Sequence, residues 1–280
     1  MTIAIGALAN NSQAIVCVAD KALTYDEQVQ WDADVTKIIP LDNGKVIAMF
    51  SGAEGPASRV LGHIVENLNG FTQAQIRDCA ETSYRDALSE LIQADVLLPR
   101  GLNWHDYRSA TSGCRINKYM QSVAAAVGQY YVECDFLLCG FYDDRQPFIG
   151  HLRYPGVFAN MARNGLHAIG SGGQYAINRM LYSESKRSQS VARVLYDAIY
   201  AKFTSELAIG VGYETDVSIN TVDNASFVVS ENVMDLITRA FAKQERSPFE
   251  KWNPKEDRPQ PPRDWIRQIE KELSSQSNPT

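Results

Sequence analysis

The feature that most constrains the fold is a strand pattern that begins at the second residue of the chain. Residues 2–9 are apolar or β-branched, Asn10-Asn11-Ser12 is a turn sequence, and residues 14–19 form a second β-type run. Chain ends usually fray unless something holds them. The pattern therefore predicts a β-hairpin whose first strand, with Thr2 at its start, is held in place.

Blocks of strands and helices alternate along the rest of the chain. Further strands are predicted over 35–39, 45–50, 130–142, 146–154, 157–162, 166–169, 217–222 and 225–229. Helical spacing predicts helices over 54–69, from Thr72, over 174–182 and 188–202, and from Glu231. Pro99, Gly101 and Gly113 predict a long loop over 97–115. Two helix pairs between antiparallel hairpins suit two packed sheets covered by helices on both faces, a four-layer αββα sandwich of the α+β class.

The composition changes beyond Ser247, where five prolines within 248–262 interrupt any core element. We expect one domain over 1–246 and a Pro-rich, charged extension over 247–280 with a short helix at 263–273. Trp252 and Trp265 in this extension are the best candidates for anchors between subunits, because tryptophan is favoured at interfaces.

Charge and composition exclude several classes of function. The net charge of −6 argues against a nucleic-acid or anionic-membrane surface. The absence of a signal-peptide pattern or a membrane-length apolar run predicts a cytoplasmic protein. Five widely spaced cysteines, without a C-x-x-C pair, predict neither zinc nor a disulfide framework. None of the four histidines has a ligand-spaced partner, so we expect no metal and no cofactor.

Thr2 is a candidate nucleophile. Aminopeptidases remove Met1 before a small second residue, which would leave an α-amine and a hydroxyl on the same residue. A free α-amine is partly neutral near pH 7 and can take the hydroxyl proton, so that one residue is nucleophile and base. Threonine is also simply a common second residue, and this alternative stays open at this point.

Two charged residues lie in apolar strand patterns. Asp20 ends the run 16–19, and Lys37 lies within 35–39. A carboxylate in such a place is costly unless it is paired. If Lys37 points inward and pairs with Asp20, it is a fixed positive charge beside the Thr2 hydroxyl and amine. The alternative is a turn at Asp20 and a solvated Lys37, which is the usual state of charged residues.

The sequence Gly170-Ser171-Gly172-Gly173 lies between a predicted strand and a predicted helix. Glycine lets the backbone approach another group closely, and the helix start offers free N–H donors. The Ser171 hydroxyl is a candidate to orient the Thr2 amine or relay its proton. Phosphate binding is the rival interpretation, although the chain has neither a Walker motif nor a G-x-G-x-x-G fingerprint.

In their order along the chain these segments resemble β-type subunits of the proteasome family, including HslV-like threonine peptidases. The matching segments are Thr2, Ala19-Asp20, Val35-Thr36-Lys37-Ile38, residues 44–53 and Ala168 to Ala176. The resemblance extends, with gaps, from Thr2 to about Asn232. The chain also lacks the helix that precedes the first strand in α-type subunits.

The resemblance implies a role for each matching residue. Thr2 would be the nucleophile, Asp20 and Lys37 the pair that tunes it, and Ser171 the group near the amine. The backbone of Met49, Ser51 and Gly52 would border the substrate and supply an oxyanion donor. A later acidic residue and a serine are expected within 214–218.

The same resemblance implies peptides or unfolded proteins as substrates and a homo-oligomeric ring. Folded substrates would need an unfolding partner such as an ATPase, which the sequence does not identify. Two other functions stay open: an amidohydrolase that acts on a small amide with the same nucleophile, and a non-catalytic ring subunit. Retention of Met1 would favour the latter, because an acylated amine cannot act as a base.

Overall fold

The protein is described by a computed structural model that covers residues 2–25, 29–32, 36–112, 117–206, 208, 211–223, 226–245 and 263–276. The chain forms two compact units. The first comprises Met1–Gly52, Asp135–His151 and Ala159–Thr280, and the second comprises Ala53–Cys134 and Leu152–Phe158. Within the described ranges, no helix is long and apolar enough to cross a membrane.

The strands of the described residues form two five-stranded sheets and one two-stranded ribbon. In chain order they are β1 Ala4–Ala9, β2 Ala14–Asp20, β3 Ala22–Tyr25, β4 Val29–Asp32, β5 Ile38–Leu41, β6 Val46–Gly52, β7 Cys134–Phe141, β8 Pro147–Arg153, β9 Val157–Asn160, β10 Leu166–Ile169, β11 Thr215–Thr221 and β12 Ser226–Val228. The first sheet has the order β10-β1-β2-β11-β12, the second has the order β5-β6-β7-β8-β9, and β3 pairs with β4.

Eight α-helices lie in the part of the chain that the structure describes. They are α1 Glu54–Asn67, α2 Gln73–Ile92, α3 Trp104–Thr111, α4 Lys118–Gln129, α5 Gly173–Tyr182, α6 Val191–Ser205, α7 Glu231–Glu245 and α8 Arg263–Gln276. Thr72 caps α2 as predicted, in a reciprocal capping box with Gln75.

Strand β1 is buried on both faces, which explains its continuous apolar sequence. Side chains alternate across a strand. Ile3 and Ile5 therefore belong to a core with residues of α5 to α8, whereas Ala4 and Leu8 belong to a core with β5 to β8. The first sheet is thus packed between helices and the second sheet, and this burial holds both strands of the β1–β2 hairpin in place.

The predicted loop over 97–115 is wrong in part, because Trp104–Thr111 forms α3. The Asn103 side chain accepts a hydrogen bond from the Asp106 N–H, and the Asp106 carboxylate accepts one from the Asn103 N–H. This capping box offsets the nearby helix breakers Pro99 and Gly101. Gly113 lies outside the described residues. Helix α4 and the β3–β4 ribbon are further elements that the sequence patterns did not indicate.

The C-terminal helix α8 packs within the first unit. Ile269 and Leu273 are buried in the same core as β1 and α6, and Trp265 packs partly buried against it. Trp252 lies outside the described residues, as does the rest of 246–262. The division at 246/247 and the role of both tryptophans at subunit contacts stay predictions.

Candidate active site

The β1–β2 hairpin brings Thr2 next to Asp20. Ala4 lies opposite Ala19, so the residue that precedes β1 meets the last residue of β2. The Asp20 N–H donates to the Ile3 carbonyl oxygen at 3.2 Å, and the Ile3 N–H donates to Asp20 Oδ1 at 3.1 Å. Thr2 is 3% exposed and Asp20 is fully buried. The start of the chain is therefore held by the carboxylate.

Lys37 points inward, to the same place. Its side chain is 2% exposed, and its Nζ donates to Thr2 Oγ1 and, at 3.1 Å, to Asp20 Oδ1. Strand β5 begins at the next residue, Ile38, which pairs with Met49 of β6 and so anchors the lysine backbone. A fixed positive charge beside a hydroxyl stabilises its deprotonated form and any negative charge that develops on it. The geometry supports activation of Thr2 as a nucleophile.

A third donor completes the surroundings of Asp20. The Gly212 N–H donates to Asp20 Oδ2 at 2.7 Å, so both carboxylate oxygens accept hydrogen bonds although the side chain is fully buried. Satisfied acceptors of this kind offset the cost of burying a charge. Sequence reasoning missed Gly212, because a single glycine 192 residues away carries no signal of this contact.

The glycine-rich loop lies directly against Thr2. Gly170 has φ +87°, and a Cβ placed on it would lie 2.0 Å from the Thr2 carbonyl oxygen. Gly172 lies against Ile3 and Val211, where a Cβ would be 3.2 and 3.0 Å from their side chains. The close approach expected of this loop is therefore to the chain start itself. Ser171 lies between these two glycines and is exposed.

Strand β6 holds the predicted substrate-side residues. Met49 is fully buried in the core between the sheets, Ser51 is buried, and the exposed Gly52 ends the strand with φ +102°. The Met49 side chain is therefore not accessible to a substrate, and the predicted substrate contact would be made by the Met49 backbone. Its pairing with Ile38 sets β6 beside the strand that follows Lys37.

The expected acidic residue and serine of 214–218 lie close to β2, in β11 and just before it. Glu214 and Asp216 lie 3.7 and 3.5 Å from the Lys21 Nζ, and the Ser218 hydroxyl donates to the Phe227 carbonyl oxygen at 3.3 Å. Both acidic residues therefore flank the residue that follows Asp20. Their part in the chemistry stays a prediction.

Two histidines that are not among the predicted site residues lie together in the first unit. His167 Nε2 and His151 Nδ1 are 3.1 Å apart and share a hydrogen bond, and His151 Nε2 lies 3.5 Å from Asp135 Oδ2. Burial, together with the neighbouring His151, lowers the pKa of His167 to about 4, although Asp135 opposes this shift. In the described residues, no group of three or more His, Cys, Asp or Glu side chains could hold a metal ion.

The lowered pKa of His167 predicts loss of stability in mild acid. An unfolded histidine takes up its proton near pH 6.5, whereas folded His167 takes it up only near pH 4, so the unfolded state binds more protons between these values. The free energy of unfolding should fall on the order of 1–2 kcal/mol from pH 6.5 to pH 4, after allowance for solvent screening. Urea unfolding at several pH values measures this, and an unchanged slope in His167→Gln would contradict it.

The comparison with solved structures shows the fold of the proteasome family, and it confirms the predicted αββα sandwich of the α+β class. Anbu from Hyphomicrobium sp. strain MC1, solved as a Gly-1 mutant, is 12% identical to this chain. The match covers 90% of this chain and 100% of that one, with a TM-score of 0.59. HslV from Trypanosoma brucei is 11% identical over 79% of this chain and 99% of that one, with a TM-score of 0.49. No family model and no curated protein sequence matches the chain.

Proposed function

We propose that the chain is a threonine-type endopeptidase with Thr2 as its N-terminal nucleophile. The observation that carries the proposal is the contact of the buried Lys37 Nζ with Thr2 Oγ1, while the same ammonium group is paired with Asp20. A buried ion pair is costly, and its satisfied geometry around a hydroxyl favours a catalytic use over a purely structural one. The proteasome fold of the chain supports the same function.

The proposed chemistry begins with cleavage after Met1. Thr2 is 3% exposed in the unprocessed chain. This cleavage therefore has to release the Thr2 amine and also make the Thr2 hydroxyl accessible to the substrate. The α-amine then takes the hydroxyl proton while Oγ1 attacks the peptide carbonyl carbon, and the leaving peptide amine takes the proton in turn. A water molecule that gives a proton to the amine hydrolyses the resulting ester and restores Thr2.

Lys37, Asp20, Ser171 and the β6 backbone have supporting roles in this proposal. Lys37 stabilises the oxyanion form of the Thr2 hydroxyl, and Asp20 holds Lys37 in place. Ser171 relays protons at the amine, a role supported by the contact of its neighbour Gly170 with the Thr2 backbone. The backbone from Met49 to Gly52 borders the substrate strand and donates to its oxyanion.

The proposal includes a homo-oligomeric ring that acts on peptides or unfolded proteins. Helix α5 supports a subunit contact, because Tyr175 and Tyr182 lie seven residues apart, on one face of the helix, and are 54% and 36% exposed. Exposed apolar side chains that lie together are typical of interaction surfaces. An unfolding partner, such as an ATPase, would be needed for folded substrates.

Intact mass tests the proposal. We expect the purified protein to lack Met1 and to gain the mass of one molecule when it is incubated with a peptide epoxyketone, which reacts with an N-terminal threonine amine and hydroxyl together. Thr2→Ala should lose Met1 as well but gain no adduct. Retained Met1, or an adduct that persists in Thr2→Ala, would overturn the assignment of Thr2 as nucleophile.

A further inference from the structure

Lys202 of α6 is a second fully buried lysine, and it is not one of the predicted site residues. Its side chain is 0% exposed. Its Nζ donates to Glu206 Oε1 at 2.6 Å and to the Tyr213 carbonyl oxygen at 2.6 Å. A buried ammonium group is tolerated only where it is paired and hydrogen-bonded, so both contacts stabilise its position.

Lys202 bonds the main chain of Tyr213 and so holds the backbone at this position. The Tyr213 side chain itself is 74% exposed. The residue before it, Gly212, donates its N–H to Asp20 Oδ2 at 2.7 Å, and the residue after it, Glu214, accepts the Lys21 N–H at 3.2 Å. Three consecutive residues are thus each bonded through the main chain. The middle bond joins this segment to α6, and the outer two join it to Asp20 and Lys21.

The geometry points to Lys202 as a positioning residue of the Thr2 site. Lys202 fixes residues 212–214 against α6. This fixed segment holds the Gly212 N–H on Asp20, and Asp20 in turn holds Lys37 against the Thr2 hydroxyl. This inference rests on the proposed function, because it assigns Lys202 a part in the reactivity of Thr2. Without the Lys202 bond, the segment loses its anchor on α6 next to Gly212. A Gly212 N–H that shifts from Asp20 Oδ2 leaves a buried carboxylate oxygen unpaired, and this carboxylate no longer holds Lys37 in a single place.

Helix α6 offers a matched control for the test. Arg193 makes the same kind of contacts at the other end of the helix, to Asp197 Oδ2 at 2.9 Å four residues later and to the Ser183 carbonyl oxygen at 3.3 Å. Among the contacts described for the chain, Lys202→Met and Arg193→Met each remove a cation, an i,i+4 ion pair and a bond to a backbone carbonyl. Lys202 bonds the segment whose Gly212 N–H reaches Asp20, whereas the described contacts of Arg193 are to Asp197 and Ser183.

The experiment follows adduct formation at Thr2 with a peptide epoxyketone over a range of reagent concentrations in the full-length protein. We expect Lys202→Met to lower the saturated rate about 10-fold or more relative to Arg193→Met, as loss of a hydrogen bond to a charged group predicts. The half-saturating concentration should change little, because the reagent site itself is intact. A saturated rate within twofold of that of Arg193→Met would overturn the inference.

A second variant keeps the test decisive if Lys202→Met does not fold. Lys202→Met with Glu206→Met replaces the ion pair by two apolar side chains, which is often neutral or stabilising for a buried pair. It still lacks the donor to Tyr213, so its saturated rate should be equally low, and a parent-like rate would overturn the inference. A parent protein that forms no adduct would overturn the proposed function together with the inference, whereas a reactive parent and a reactive Lys202→Met would overturn the inference alone.

Discussion

Lys37→Met should abolish most of the reactivity of Thr2 and destabilise the fold at the same time. Lys37 is the cation in contact with the Thr2 hydroxyl, and removal of a charge that stabilises a developing oxyanion typically costs about 10²–10³ in rate. The variant also leaves the fully buried Asp20 carboxylate without its ion-pair partner, which costs about 3–5 kcal/mol of unfolding free energy. Urea unfolding and the rate of epoxyketone adduct formation measure the two effects.

The two effects of Lys37→Met can be separated. In the double variant Asp20→Asn with Lys37→Met no unpaired charge remains, so part of the lost stability should return while Thr2 stays slow. The return should be incomplete, because the new amide NH2 cannot accept the N–H of Ile3 or of Gly212 that a carboxylate oxygen accepted. Lys45→Met is the control for loss of a lysine ion pair, because Lys45 and Asp42 are 2.9 Å apart but more than a third exposed. It should change the unfolding free energy by at most about 1 kcal/mol and leave adduct formation unchanged. A Lys37→Met protein that reacts as fast as Lys45→Met would contradict the proposed activation of Thr2.

Gly170→Ala should destabilise the fold strongly and slow the reaction of Thr2. The added Cβ would lie 2.0 Å from the Thr2 carbonyl oxygen, and the φ of +87° is strained for alanine. Both terms together should cost about 3–5 kcal/mol, as a strained left-handed residue and an overpacked contact predict. Because the collision is with the backbone of Thr2 itself, adduct formation should fall even in protein that remains folded.

Gly165→Ala is the matched control for Gly170→Ala. Gly165 has nearly the same φ, +82°, but no atom lies within 4 Å of the position that its Cβ would take. This variant should lose only about 1–2 kcal/mol, the cost of the left-handed backbone alone. Urea unfolding of the two variants isolates the contribution of the Thr2 contact. Equal losses would show that the collision is relieved by a small shift of the loop and would remove Gly170 from the determinants of the site.

The buried thiols of the first unit have no place in this chemistry. Cys17 and Cys139 lie in the core between the two sheets, and a hydrogen bond with Cys17 together with burial raises the pKa of Cys139 well above that of a free thiol. The Cys139 thiol therefore stays protonated, and both buried side chains behave as small apolar groups. The hydroxyl of Thr2, with a lysine against it, is therefore the better nucleophile candidate.

Local patterns were sufficient for the elements that carry the predicted site. The turn at 10–12 between two apolar runs determines the β1–β2 hairpin, and that hairpin alone brings Thr2 and Asp20 together. Lys37 beside an apolar run and the glycines of 170–173 were recognisable from a few neighbouring residues. Strand β5 begins only at Ile38, so the inward direction of Lys37 was not decided by strand alternation. The sequence also carries a signal for the start of helix α3, the Asn103 and Asp106 capping box. The nearby helix breakers outweighed this signal in the sequence-based prediction.

The tertiary structure decided what connects these elements. The Gly212 N–H on Asp20 and the packing of α8 on α6 join residues that are distant in the sequence, and the Lys202 bond to the Tyr213 carbonyl oxygen spans 11 residues. A backbone donor leaves no mark in the sequence, since every residue except proline has one. Sequence alone therefore determined which groups are present at the start of β1, whereas long-range packing determined which backbone atoms hold the buried carboxylate in place.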